Sequence, residues 1–280
     1  MQIVRTVGEL RHWSREARRG GRSVGLVPTM GALHDGHLSL VRAARAACDA
    51  VAVSIFVNPT QFGPNEDFAL YPRTFEADCA LLADTGVDVV FAPAPVEMYP
   101  AGSATFVDVE GLSGRLDGAS RPGHFRGVAT VVARLFIAAE PDRAFFGQKD
   151  AAQVAVLRRM TADLGLPVEV VVCPIVREAD GLAMSSRNRY LSAEERGQAL
   201  ALSRALEAAQ ALYGGGERRA AKLVEAARRV FAGEPEVRVD YIAAVDWATL
   251  EPAESAIPGT LFAVAAWVGS TRLIDNLVVR

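Results

Sequence analysis

The chain has 280 residues, half of them hydrophobic, with 30 Lys and Arg against 33 Asp and Glu for a net charge of −3. That length holds one large domain or two smaller ones with a sizeable core, and the near-neutral balance leaves no basic field to attract DNA or RNA, so affinity for anions must be local. Three widely spaced cysteines (Cys48, Cys79 and Cys173) suit reduced thiols, not a disulfide framework or a zinc ribbon. No apolar run reaches the length of a membrane span, and the first ten residues lack the apolar stretch of a signal peptide, so a cytoplasmic protein without a membrane partner is expected.

In chain order, residues 23–27 read as a short buried strand, and Leu38, Val41 and residues 44–46 recur at the spacing of a helix that starts near Gly36 or His37. Residues 51–57 and 87–91 are β-rich apolar runs, with helical spacing over 74–84 between them. A long apolar helix over 125–138, a short strand over 144–146, a helix over 151–164 and a buried strand over 168–172 follow. Repeated strand–helix units predict an α/β fold with a doubly wound, Rossmann-like parallel sheet, which binds ligands at the carboxyl ends of its strands. The composition shifts after Pro174. A helix over 193–213 opens on Ser192 as N-cap with Glu195 completing a capping box, and Gly214, Gly215 and Gly216 stop it. A helix over 217–231 and strands over 237–245, 261–268 and 272–278 make a second, smaller α+β domain. The expected division is 1–176 and 177–280.

Two stretches carry chemistry. In residues 27–37, His34 and His37 are separated by Asp35 and Gly36 at a strand-to-helix junction. Gly31 and Gly36 let backbone approach a ligand closely, and a helix N-terminus offers free N–H groups and a positive dipole end. Two imidazoles there suit phosphate oxygens on which charge grows during nucleotidyl transfer. Taken alone, the pair could equally be satisfied hydrogen-bonders or a metal site. The second stretch, Met184-Ser185-Ser186-Arg187-Asn188, offers hydroxyl donors and a guanidinium that forks two oxygens, although such a run is common in ordinary turns. The combination resembles adenylate-forming nucleotidyltransferases, the class I aminoacyl-tRNA synthetases among them, whose two signatures flank one ATP site.

The resemblance is closer still to the pantoate–β-alanine ligase family. It is carried by residues 28–37, 56–67, Tyr71-Pro72-Arg73-Thr74, residues 121–128, Phe146-Gly147-Gln148-Lys149-Asp150 and residues 184–188, in the family's order over the first two-thirds of the chain. It implies that ATP and pantoate form pantoyl adenylate and pyrophosphate, and that the β-alanine amine then attacks to give pantothenate and AMP. It implies that His34 and His37 contact ATP phosphates, that Lys149 meets the α- or γ-phosphate, and that Ser185, Ser186 and Arg187 clamp the phosphates, with the 184–187 loop on a hinged lid. Asp150 would accept from the ribose hydroxyls, or cap a helix, with Gly147 giving close access. Pro28, Met30 and Met184 would border the nucleotide or pack in the core.

By the same resemblance Gln61 and Gln153 hold pantoate, since an amide both donates to a carboxylate and accepts from a hydroxyl. Met30 and Phe62 would cover the gem-dimethyl group, and Asn58 would hold the loop or meet the substrate. Tyr71, Asp117 and Arg121 fall at the rim, where an Arg121–Asp117 ion pair is the alternative to direct function. His124 reads as a buried hydrogen-bonder. Two positions depart from the family pattern: Gln148 stands where many relatives carry Glu, and Asp117 where Glu is frequent. Mg²⁺ is expected with ATP, held mostly by phosphates and water, so no metal residue is named. The resemblance also implies a homodimer. Rival readings are an adenylyltransferase for another small acid and a non-catalytic nucleotide-binding regulator.

Overall fold

The computed structural model describes residues 1–64 and 66–280; Asn65, within the 56–67 motif, lies outside the described residues. The elements run β1 (Gln2–Val4), α1 (Val7–Arg19), β2 (Val24–Thr29), α2 (Asp35–Ala47), β3 (Ala50–Ile55), α3 (Phe75–Ala83), β4 (Val89–Phe91), α4 (Pro95–Met98), α5 (Asp117–Ser120) and α6 (His124–Ala139). They continue with β5 (Arg143–Gly147), α7 (Ala151–Asp163), β6 (Glu169–Cys173), α8 (Ala193–Ala199), α9 (Ala201–Gly214), α10 (Ala220–Ala232), β7 (Val237–Asp246), β8 (Thr260–Val268) and β9 (Thr271–Val278).

Strands β1 to β6 form one parallel sheet in the order β1-β4-β3-β2-β5-β6, and β7 to β9 an antiparallel meander. The expected doubly wound α/β class is what the chain adopts. Every residue of β3 except Ile55 is buried, as befits a parallel strand covered by helices on both faces. From β2 the chain moves outward to β3 and β4 and then returns to β5 on the other side of β2. The order of strands therefore reverses between β2 and β5, the place where open parallel sheets bind ligands. These two strands pair only at Gly25–Arg143 and Leu26–Ala144, although each continues three residues further, so their carboxyl ends diverge into a crevice.

Local chemistry accounts for the boundaries. Helix α1 has a capping box of Thr6 and Glu9, and α8 has the expected one of Ser192 and Glu195. Helix α2 starts at Asp35, earlier than its apolar spacing predicts, because His34 is its N-cap. The helix expected over 193–213 is two: the Leu200 N–H turns to the Gln198 carbonyl, and the ladder restarts at Ala201. Strand β1 and α1 have no counterpart among the predicted elements.

The meander has two allegiances. Val245, Leu250, Leu261 and Ala263 join the core that α6 and α7 build on one face of the large sheet. Phe262, Val264 and Ala266 join α9 and α10 in a second core. A third core lies between α2 and the opposite face of the large sheet.

Candidate active site

The loop from β2 to α2 is held by one carboxylate. Asp78, only 1% exposed, accepts from the Ala32 and Leu33 amides at 3.0 and 2.8 Å. Gly31 has φ +83°, and a Cβ there would lie 3.0 Å from Asp78 Oδ2, so glycine is required on both counts. Beyond it, His34 Nδ1 accepts from the Gly36 N–H at 3.1 Å, and His37 Nδ1 accepts from the His34 N–H at 3.3 Å. The two histidines thus form a reciprocal capping box, with ring centroids 4.1 Å apart. Burial, then Lys149, lowers the His34 pKa; burial, then His34, lowers that of His37 to about 3. Both rings are neutral at pH 7. A Cβ on Gly36 would lie 3.7 Å from Met184 Cβ, which brings the two sequence signatures face to face.

The crevice between β2 and β5 contains a cavity of about 180 Å³, and Pro28, Met30, His37, Gln61, Phe62 and Tyr71 are in its wall. Arg121, His124, Asp150, Gln153 and Arg187 are shared with a smaller chamber of about 50 Å³ that adds Lys149 and Ser185. The apolar part of the larger cavity's wall is Val128, Val131, Val132, Leu135 and Phe146, and the buried Ser54 also lines it. His34, Gly147, Met184 and Ser186 lie outside both walls. The His34 ring lies against that of His37 at a 48° tilt, and Ser186 Oγ is 3.5 Å from the Tyr71 hydroxyl. The place a Cβ would take at Gly147 is open.

Asn58 is in the cavity wall, but its polar atoms are engaged. Its Nδ2 donates to Gln61 Oε1 and the Gly127 carbonyl, each at 3.1 Å, and its Oδ1 accepts from the Tyr99 and Thr60 hydroxyls at 2.8 and 2.9 Å. It orients Gln61, whose Nε2 lies 3.1 Å from Met30 Sδ. Helix α6 can approach this loop only because residue 127 is glycine: a Cβ there would sit 2.3 Å from the Thr60 carbonyl oxygen.

The ion pairs rule out the alternative Arg121–Asp117 contact. Arg121 forks the Glu66 carboxylate at 2.7 and 2.6 Å, and Asp117 pairs with Arg272 of β9 at 2.8 Å. Arg187 is held by Asp67 at 3.1 and 3.0 Å. His124 is the hydrogen-bonder its sequence suggests: Nδ1 donates to the Gln61 carbonyl at 2.8 Å, which leaves Nε2 to accept from Arg121 at 3.1 Å. Lys149 is not a solvated surface lysine; its side chain is 21% exposed, with the Asp150 carboxylate 3.8 Å away. Asp150 stands at the N-cap of α7 without a side-chain cap bond, so that carboxylate faces the chamber free of the helix.

Sequence reasoning gave no role to the residues that hold the site: Asp78, Glu66, Asp67 and Arg272. Each is a polar group whose partner lies far away along the chain, which no local pattern records.

A family model described as pantoate-beta-alanine ligase matches residues 2–278. Pantothenate synthetase from Acidobacterium capsulatum is 64% identical over 100% of this chain and 97% of its own length; that from Moorella thermoacetica is 57% identical over 100% and 99%. Among solved structures, pantothenate synthetase from Thermus thermophilus has a TM-score of 0.94 at 51% identity, with 99% of each chain covered. A pantoate-beta-alanine ligase from Francisella tularensis, complexed with beta-gamma ATP and beta-alanine, has a TM-score of 0.81 at 31% identity over 99% of this chain and 97% of that one.

Proposed function

The chain belongs to the pantoate-beta-alanine ligase family, and we propose that its joined cavities carry that ATP-dependent ligation in two steps. A carboxylate is a poor acyl donor, so pantoate must first be activated. A pantoate carboxylate oxygen attacks the α-phosphorus of ATP, the bond to pyrophosphate breaks, and pantoyl adenylate remains. The unprotonated β-alanine amine then attacks the acyl carbon; the tetrahedral adduct loses a proton and expels AMP.

The observation that carries this reading is the cavity itself, which brings Gln61 and Gln153 to one site with Asp150, Arg187 and His37. Gln61 and Gln153 bind the hydroxyl and carboxylate of pantoate, while Met30, Phe62 and the apolar wall residues receive its methyl groups. Asn58 acts through Gln61. His34 and His37 donate from Nε2 to phosphate oxygens, Lys149 neutralises charge that develops on the phosphates, and Ser185, Ser186 and Arg187 close over them. Asp150 accepts from the ribose beside the open backbone at Gly147, and Pro28, Met30 and Met184 border the nucleotide. Tyr71 and Arg121 form the rim. The mixed anhydride is destroyed by water, so closure protects it.

Residues 1–176 and 177–280 are read as two functional parts, the second supplying the 184–187 loop and a wall to the site. Mg²⁺ fits as a companion of ATP. Among the described residues no three His, Cys, Asp or Glu side chains converge, whereas a metal carried on a triphosphate keeps its waters and needs few protein ligands. It would supply further neutralisation of phosphate charge. A homodimer and a cytoplasmic setting come with the family reading; among the described residues no helix is long and apolar enough to cross a membrane.

The test is ATP–pyrophosphate exchange with pantoate present and β-alanine absent. Exchange that requires pantoate supports the adenylate route. Exchange with another acid alone would overturn the substrate, and ATP binding without exchange would favour a regulator.

A further inference from the structure

The single turn Gln148–Asp150, which carries Lys149 and Asp150 into the site, is fastened from the other sheet. Asn276 lies on β9, opposite Ala263 of β8, and is 3% exposed. Its Nδ2 donates to the Gln148 carbonyl at 2.9 Å and to the Lys149 carbonyl at 2.8 Å. Its Oδ1 accepts from Gln148 Nε2 at 3.2 Å. Both amide hydrogens and one acceptor site of a buried side chain are thus spent on this one turn, and the Gln148 side chain fixes which way the amide faces. The strand is itself secured at the preceding residue, where Asp275, 2% exposed, takes a two-point bond from Arg177 at 2.7 and 3.0 Å.

We propose that Asn276, oriented by Gln148, is a positioning residue that sets where Lys149 and Asp150 meet the nucleotide. This rests on the nucleotide-binding role of those two residues. Buried carbonyls need partners, but any donor could satisfy them; a single planar amide bridging two successive carbonyls also fixes the direction in which the intervening Cα projects its side chain. Lys149 is a long, flexible cation, so its reach to a phosphate depends on a fixed origin. Gln148 supplies through Nε2 an N–H that a carboxylate in its place would lack, and that N–H is what orients the Asn276 amide.

The experiment compares Asn276→Ala and Asn276→Asp, each with and without Lys149→Ala, by pantoate-dependent ATP–pyrophosphate exchange and single-turnover adenylation in the full-length protein. Asn276→Asp keeps the volume and lacks the two donors, so it separates a lost contact from a lost filling. Expected is a fall of up to about a hundredfold in kcat/KM for ATP, the scale of an ångström-sized misplacement. In the Lys149→Ala background the same changes should produce a several-fold smaller loss, since groups acting as a unit are not additive. Gln148→Met, which leaves β9 intact, should lose a smaller part of the same parameter and serves if the Asn276 variants fold poorly. Equal losses with and without Lys149, or a lowered Tm with an unchanged rate, overturn the proposal. Undiminished exchange by Lys149→Ala alone would remove the role of Lys149 and this proposal with it; an inactive Lys149→Ala beside a fully active Asn276→Asp removes the proposal alone.

Discussion

His37 Nδ1 accepts the His34 backbone N–H at 3.3 Å while His34 Nδ1 accepts the Gly36 N–H at 3.1 Å. Each neutral ring therefore carries its proton on Nε2, the nitrogen not engaged with the main chain. On the proposed reading, the helix cap and the donor for a phosphate are one side chain, with one job on each nitrogen.

These jobs can be separated. Asn is a good N-cap and lacks the distal N–H, so His34→Asn should keep stability within about 1 kcal/mol while adenylation falls roughly 10²- to 10³-fold, as when one preorganised donor is removed. His34→Ala should lose both. Thermal unfolding alongside single-turnover adenylation checks this; an active His34→Asn enzyme would assign the residue to the cap alone.

Acid should weaken the fold through two buried imidazoles. His37 is held at a pKa of about 3 by burial and by His34, and His124 at about 4 by burial and by Arg121. Unfolded histidine titrates near 6.5. Below that pH the unfolded chain takes up protons that the folded chain refuses, so stability falls from about pH 6.5 towards 4 and these two groups add no slope above pH 7. Each contributes at most about 2 kcal/mol of loss at pH 5. Urea unfolding at pH 7.5 and pH 5 measures the drop, and His124→Gln should reduce it; an unchanged drop would mean that His124 is protonated in the fold.

Gly127→Ala pits two effects against each other. Alanine in a helix interior gains up to about 1 kcal/mol over glycine, but a Cβ 2.3 Å from the Thr60 carbonyl oxygen forces α6 and the Asn58–Gln61 loop apart. Overpacking of this kind costs about 1–3 kcal/mol, so net destabilisation is expected, with a raised KM for pantoate because Gln61 moves. Gln61→Ala should raise KM for pantoate more than that for ATP. Steady-state titration of each substrate decides both; equal changes in the two constants would count against Gln61 as a pantoate ligand.

Asp67 pairs with Arg187. For Arg187 to clamp a triphosphate, that pair must open or rearrange. Asp67→Asn should then lower KM for ATP, by up to about fivefold if the partly exposed pair is worth 1 kcal/mol or less. A KM that rises instead would show that Asp67 holds Arg187 in its working position.

The alternation of apolar runs and helical spacing exposed the parallel sheet because period and burial are local properties. Helix α1, capped by Thr6 with Glu9, went unread beside β1, a three-residue edge. The motif residues were readable because glycine, histidine and lysine occur there in tight groups. What could not be read was pairing at a distance: Arg121 finds Glu66 instead of its near neighbour Asp117, which turns to Arg272 on the last strand. Charge on a sequence names candidates, and only the fold chooses among them.

The meander contributes to two cores at once, through Leu261 and Ala263 on one side and Phe262 and Val264 on the other. A gene fusion that kept residues 1–176 and grafted a different closing module would strip the α7 face of its cover and leave the Lys149 turn without its fastening. The two parts thus share one core, and calorimetry should record one unfolding transition where the chain suggests two.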